Sequence, residues 1–134
     1  MPCVALSTER RASGYPAGHM TDTSCIFCKI ASREIPADVL RETDRVVAFR
    51  DLNPKAPTHL LLIPKEHIDS VVDIEDRHGD MLADVMQSAA HLARTEGLDD
   101  GWRIVTNVGP AAGQTVFHLH FHLLGGRQMG WPPG

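Results

Sequence analysis

Three histidines at alternate positions form the most informative pattern in this sequence. His118, His120 and His122 lie in the segment HLHFHLL, where apolar residues separate them. Successive side chains of a β-strand point to opposite faces, so the three imidazoles are expected to share one face at intervals of about 6.5–7 Å. Imidazole can act near neutral pH as a nucleophile, an acid–base group or a metal ligand. The pattern favours catalytic use of at least one histidine, with metal binding by all three or a plain polar strand face as alternatives.

A loop of small residues directly precedes the histidines. Residues 109–115 read GPAAGQT, and glycine lets backbone N–H groups approach a phosphate without obstruction by a Cβ atom. Gln114 and Thr115 add a side-chain amide and a hydroxyl, which are expected to bind non-bridging phosphate oxygens. Phosphoryl transfer depends mainly on positioning and on hydrogen-bond donors. The loop and the histidines together therefore predict phosphoryl chemistry.

A Cys-x-x-C pair at Cys25 and Cys28 is the second group that could do chemistry. Alone it is compatible with a zinc site, with two incidental buried thiols, or with a redox pair at a helix start. A zinc site needs four ligands, commonly cysteine and histidine, and His59 and His118 are suitable partners. His67, in the segment PKEH, is interpreted as a surface or turn histidine.

These groups must be positioned by a sheet and two helices. The periodicity predicts a short helix over about 25–32, strands over 37–42, 45–50, 59–63, 102–107 and 116–124, and a long amphipathic helix over about 74–96. This order indicates an α+β fold with helices packed on an antiparallel sheet. Residues 1–22 carry glycine, proline and small polar residues without periodicity, and are interpreted as a disordered leader.

Composition limits the classes of function. The chain has 134 residues and a formal net charge of −4, with 43% hydrophobic and 22% charged residues. This composition is typical of one globular domain, and it lacks the basic surface that a nucleic-acid polymer requires. No apolar run approaches the length of a membrane span, and three cysteines do not suggest a secreted disulfide framework. We therefore expect a cytoplasmic protein whose partner is neither nucleic acid nor membrane.

The segment HLHFHLL resembles the H-φ-H-φ-H-φ-φ signature of the histidine triad (HIT) superfamily, where φ is apolar. The likeness extends to IFCKIASREIPADVL, AFRDLNPKAPTHLLLIPKEHI and GGRQMGWPPG, and it is strongest to the nucleotide-binding branch, the purine nucleoside phosphoramidases. The resemblance implies a HIT domain over 23–134 and a homodimer whose two sheets join into one. It also implies AMP and its conjugates as ligands.

The resemblance also implies roles for individual residues. His120 would attack the α-phosphorus and become adenylylated, with the His118 carbonyl fixing its tautomer. His122 would contact the phosphate, a neighbouring histidine would protonate a departing amine, and Thr115 would lie near the leaving atom. The nucleotide site would further comprise Asp51 at the ribose hydroxyls, Ile26, Phe49 and Leu52 around the purine, Asn107, Gly113 and Gln114 at the phosphate, and Trp131 reaching in from the partner subunit.

The expected activity is hydrolysis of a P–N or related bond in a nucleoside monophosphate conjugate, without a catalytic cofactor. A non-catalytic nucleotide-binding module and a dinucleoside polyphosphate hydrolase are the alternatives. Some members of the family carry a Cys-Cys-His-His zinc site, which here implies a structural zinc on Cys25, Cys28, His59 and His118.

Overall fold

The computed structural model describes residues 24–134, so the predicted leader lies outside the described residues. The elements along the chain are α1 (Ile26–Ala31), β1 (Val39–Glu42), β2 (Val46–Arg50), β3 (Thr58–Pro64), α2 (Gly79–Thr95), β4 (Trp102–Val105) and β5 (Phe121–Gly125). None of the helices between residues 24 and 134 is both long and apolar enough to cross a membrane.

The five strands form one antiparallel sheet in the order β1-β2-β3-β5-β4. The continuous apolar run of β3 is buried along its whole length, because this strand lies at the centre of the sheet with a helix on each face. In the pairing of β3 with β5, His59 lies opposite Leu124 and Leu61 lies opposite His122. The predicted α+β architecture is confirmed.

The two faces of the sheet are covered by different helices. On one face, Leu60 and Leu62 pack with Val85, Ala89 and other apolar residues of α2. On the opposite face, Leu61 packs with α1 residues in a second buried cluster. Alternate side chains of β3 therefore belong to two separate cores, one on each face of the sheet. The second core lies on the α1 side and is the one that adjoins the histidines.

Two elements begin about five residues later than the sequence predicts. The long helix begins at Gly79, and two 3-10 turns, Val71–Asp73 and Asp76–His78, occupy the chain before it. The last strand begins at Phe121, because the backbone N–H of Leu119 donates to the carbonyl of Ile68 (2.6 Å) in a loop. His118 and His120 therefore lie in a segment that leads into β5.

Candidate active site and metal centre

The three histidines of the triad share one face, as their alternation predicts. That face is the one covered by α1. The Phe27 ring of α1 packs edge-on against His118 and His120, with centroids 6.0 and 5.1 Å apart. His120 and His122 rings are 5.1 Å apart. The intervening residues Leu119, Phe121 and Leu123 all belong to the core on the α2 side.

His120 is held in one tautomer by its own chain. Its Nδ1–H donates to the carbonyl of His118 (2.7 Å), which leaves the lone pair on Nε2. Burial lowers the pKa of His120, although this hydrogen bond acts in the opposite direction, and the result favours neutral imidazole. An unprotonated, oriented imidazole is the form that attacks phosphorus.

A chain of hydrogen bonds fixes the proton of His122. The backbone N–H of Lys55 donates to His59 Nδ1 (2.9 Å), so neutral His59 carries its proton on Nε2. His59 Nε2 lies 2.8 Å from His122 Nδ1, which must therefore accept. His122 consequently carries its own proton on Nε2 and presents a donor.

Both histidines of this pair are neutral at physiological pH. Burial and the neighbouring His120 and His59 lower the pKa of His122 to about 4. Burial likewise lowers the pKa of His59, which Asp51 opposes. A neutral His122 can donate a hydrogen bond, and proton transfer from a neighbouring histidine to a leaving amine stays a prediction.

Asp51 connects the histidine pair to the loop after β2. Its Oδ1 accepts from the backbone N–H of Asn53 (2.8 Å), which is the turn-forming contact that an Asp-x-Asn sequence favours. Its Oδ2 lies 3.3 Å from His59 Nε2. One carboxylate therefore shapes the loop and faces the histidines.

A cavity of about 290 Å³ opens beside His120 and His122. It is lined by seven of the predicted site residues, namely Ile26, Phe49, Asp51, Leu52, Thr115, His120 and His122. Ile26 and Leu52 are 47% and 99% exposed at its edge, where an apolar ligand face would cover them. Asn107, Gly113, Gln114 and Trp131 are not among the lining residues; Asn107 and Gly113 adjoin each other, and Trp131 is 84% exposed.

The side chain of Gln114 does not take the phosphate-binding role that the sequence predicts for it. Its Nε2 donates to the carbonyls of Asp69 (2.8 Å) and Val116 (3.1 Å), and its Oε1 accepts from the N–H of Gly109 (2.9 Å). Gln114 is only 4% exposed. Because both ends of the amide are occupied by backbone groups, the side chain holds the loop and does not point at a phosphate.

A second cluster brings Cys25, Cys28, His67 and His118 together, with one donor atom of each within 4.8 Å of the others. His118 Nδ1 lies 3.3 Å from Cys25 Sγ and 3.4 Å from Cys28 Sγ, and His67 Nδ1 lies 3.2 Å from Cys28 Sγ. A tetrahedral zinc with ordinary bond lengths separates its sulfur and nitrogen ligands by about 3.5 Å. The cluster matches that requirement in both donor type and spacing.

The second nitrogen of each ring supports the same assignment. His118 Nε2 donates to the carbonyl of Pro64 (2.8 Å), and His67 Nε2 donates to Asp69 Oδ1 (2.8 Å). Both rings therefore turn an unprotonated Nδ1 toward the sulfurs, as metal-binding histidines do. The residues fit a zinc ion.

His59 is not part of this centre, and its predicted role as the zinc ligand that completes Cys25, Cys28 and His118 is wrong. It pairs with Leu124, six residues along the chain from His118, a separation of about 20 Å in extended chain. The same antiparallel register brings the residues after Pro64 beside His118, which is why His67 takes the fourth position. The sequence signal for His67 was its place just past the end of the buried strand.

Comparison with known proteins adds independent observations. Residues 32–129 match the family model described as HIT domain. The chain is 46% identical to a 14 kDa zinc-binding protein of Zea mays, over 96% of this chain and 100% of that protein. It is 49% identical to a protein of Arabidopsis thaliana named adenylylsulfatase HINT1, over 98% of this chain and 89% of that protein.

The chain is also similar to solved structures. A HIT family hydrolase from Legionella pneumophila superposes with a TM-score of 0.81 at 54% identity, covering 83% of this chain and 100% of that one. A HIT family hydrolase from Clostridium thermocellum gives 0.80 at 50% identity, covering 82% and 96%.

Proposed function

The chain belongs to the HIT domain family, and we propose that it hydrolyses purine nucleoside monophosphate conjugates, such as adenosine phosphoramidates, through a nucleotidyl intermediate on His120. The broader assignment as a nucleotide hydrolase is supported by the similarity to HIT family hydrolases and to the relative named adenylylsulfatase HINT1. What we propose beyond that assignment is the cleavage of a P–N or related bond and the covalent intermediate on His120.

The hydrogen bond from His120 Nδ1 to the His118 carbonyl carries the proposal. It fixes a neutral imidazole with its lone pair on Nε2, and His120 lines the cavity. The cavity supports a nucleotide ligand, since it combines an apolar edge with Asp51, Thr115 and two histidines.

In the first step, the Nε2 lone pair of His120 forms a bond to the α-phosphorus and the bond from phosphorus to the leaving group breaks. The leaving nitrogen departs with that electron pair and takes a proton from water, next to the exposed Thr115 hydroxyl. His122 Nε2–H donates to a phosphoryl oxygen as charge shifts onto it. Hydrogen-bond donors aimed at developing charge contribute strongly in a partly buried site.

In the second step, water attacks the same phosphorus, and the electron pair of the P–N bond returns to His120 Nε2. The attacking water gives up a proton to solvent, so the proton taken up in the first step is restored. AMP leaves. A zinc ion held by Cys25, Cys28, His67 and His118 would stabilise the fold beside the site, and none of these steps depends on it.

The rest of the nucleotide would occupy the remainder of the cavity. We infer that Ile26, Phe49 and Leu52 cover the purine and that Asp51 binds the ribose hydroxyls. Asn107 adjoins Gly113 and would offer its side-chain amide to the phosphate. The N–H of Gly113 already donates to the Pro110 carbonyl (3.0 Å), so Gly113 would contribute close backbone approach and not a donor. A homodimer in which Trp131 reaches the partner's site remains part of the proposal.

A second candidate substrate is adenylyl sulfate. The Arabidopsis relative is named an adenylylsulfatase, and sulfate is a leaving group that needs no proton on departure. The neutral state of His122, whose pKa is about 4, suits such a leaving group. The two candidates share His120, the intermediate and the product AMP.

The proposal is tested on the full-length protein by rapid quenching of the reaction, followed by mass spectrometry of its peptides. With adenosine phosphoramidate or adenylyl sulfate, a peptide containing His120 should gain one adenylyl group. His120→Ala should abolish turnover while AMP binding persists, and His91→Ala, at an exposed helix position, should behave as wild type. Turnover by His120→Ala near the wild-type rate would overturn the mechanism. AMP binding without turnover of either substrate would indicate a non-catalytic nucleotide-binding protein.

A further inference from the structure

We propose that Asp69 is a positioning residue that couples the metal centre to the phosphate loop, defined here as residues 109–115. Its side chain orients a metal ligand and its main-chain carbonyl holds the buried anchor of the loop. The phosphate-binding role of the loop rests on the proposed function. The coupling itself rests only on contacts within the described chain.

The first contact runs from the metal centre to the Asp69 side chain. His67 Nε2 donates to Asp69 Oδ1 at 2.8 Å, and both side chains are more than nine-tenths buried. This interaction leaves His67 Nδ1 unprotonated beside Cys28 Sγ, 3.2 Å away. Carboxylates in this position fix the tautomer and the ring orientation of a metal-binding histidine.

The second contact runs from the Asp69 main chain to the loop. Gln114 Nε2 donates to the Asp69 carbonyl at 2.8 Å. The same amide accepts from the N–H of Gly109 and donates to the carbonyl of Val116, so it closes the loop across its two ends. Any shift of the Asp69 backbone therefore moves the group that holds the loop closed.

A third contact ties the same segment to the triad. The Ile68 carbonyl accepts from the N–H of Leu119 at 2.6 Å, between His118 and His120. Residues 67–69 thus contact the metal centre, the loop and the triad within three consecutive positions. Ordering of this segment by zinc should order the loop, and the effect must be reciprocal at equilibrium.

The first test measures zinc affinity by competition with a chromophoric chelator, in the full-length protein. Asp69→Asn should weaken zinc binding by about 10–100-fold, because it replaces the charged partner of His67 with a neutral amide. Glu66→Gln is the matched control. Glu66 precedes His67 in the chain, but its carboxylate contacts Arg77 and His78 and not a ligand. Unchanged affinity in Asp69→Asn, or an equal loss in Glu66→Gln, would refute the role of Asp69.

The second test measures amide hydrogen exchange of the loop with and without zinc, and it requires neither nucleotide nor activity. In wild-type protein, zinc should slow exchange of a peptide covering 109–116 by about 5-fold or more. In Asp69→Asn at saturating zinc the slowing should be smaller. Equal exchange of wild-type protein with and without zinc would refute the coupling, even if Asp69→Asn did not fold. Loss of catalysis with the exchange effect intact would count against the proposed function alone.

Discussion

His59 Nε2 lies 2.8 Å from His122 Nδ1, on adjacent antiparallel strands. The direction of this hydrogen bond is set from outside the pair, because the backbone N–H of Lys55 already donates to the other nitrogen of His59. His122 therefore accepts on Nδ1 and donates from Nε2. A backbone amide in the loop after β2 thus determines which proton the triad offers to a ligand.

His59→Ala should lower kcat by about 10-fold or more and should change the AMP dissociation constant little. The loss should be smaller than the loss of about 100–1,000-fold that follows when a donor to developing charge is removed directly. The reason is that His122 loses its fixed tautomer but keeps its place. Steady-state kinetics and AMP titration by calorimetry separate the two effects.

His59→Gln is the informative companion to that variant. A glutamine amide can place a donor near the position of His59 Nε2, so activity should recover in part. His91→Ala serves as a control at an exposed histidine. If His59→Gln were no better than His59→Ala, or if His59→Ala kept full activity, His59 would not set the tautomer of His122.

Zinc should stabilise the folded protein measurably. At free zinc about 100-fold above its dissociation constant, binding contributes about 2.7 kcal/mol, which for a chain of this size raises Tm by about 10 °C. Scanning calorimetry of chelator-treated protein, before and after zinc addition, gives the shift. Cys28→Ser should lose most of the response and magnesium should give none, because two thiolates and two imidazoles do not suit a hard cation. A Tm that is insensitive to zinc would exclude the centre.

Local sequence patterns were sufficient for much of this structure. The alternation of His118, His120 and His122 predicts a shared face because side-chain direction in extended chain depends only on neighbouring residues. The continuous apolar run of β3 predicts a central strand for the same reason. The two cysteines, one helical turn apart, come together without any tertiary information.

Strand register could not be read from the sequence, and it decided the fourth member of the metal centre. His59 lies near the start of β3 (Thr58–Pro64) and His67 lies three residues past its end. Only the pairing with β5 shows that His67 is the one that adjoins His118. The role of Gln114 depended similarly on where Asp69 lies. The early start predicted for the long helix failed because the side chain of His78 accepts from the N–H of Glu75 (2.9 Å), which stabilises a 3-10 turn there.

Gly126, just after β5, should tolerate no side chain. Its φ of +91° disfavours other residues, and an added Cβ would lie 2.9 Å from Pro57 Cβ, in a ring that cannot rotate away. Gly126→Ala should therefore destabilise the protein by about 1–3 kcal/mol, measured by urea unfolding. Gly130→Ala is the matched control, since nothing lies within 4 Å of its added Cβ. Equal unfolding midpoints for the two variants would contradict the packing described here.

The His122 pKa predicts how stability depends on pH. In the folded protein this pKa is lowered to about 4 from an ordinary 6.5, by burial and by His120 and His59, with Asp51 opposing. Between these values the unfolded chain binds a proton at His122 that the folded chain does not. Stability is therefore lost as pH falls from about 6.5 to about 4, by about 3 kcal/mol in total, and is constant in this respect above 6.5.

His122→Gln removes that titration, so its free energy of unfolding should decline less than that of wild type over the same interval. Urea unfolding at several pH values, with a chelator present throughout to exclude zinc, measures the difference between the two proteins. His91→Gln should follow the wild-type curve, because this helix position is exposed. Parallel curves for wild type and His122→Gln would mean that His122 titrates alike in the folded and unfolded chains. His122 would then not be the buried, neutral hydrogen-bond donor that its contact with His59 requires.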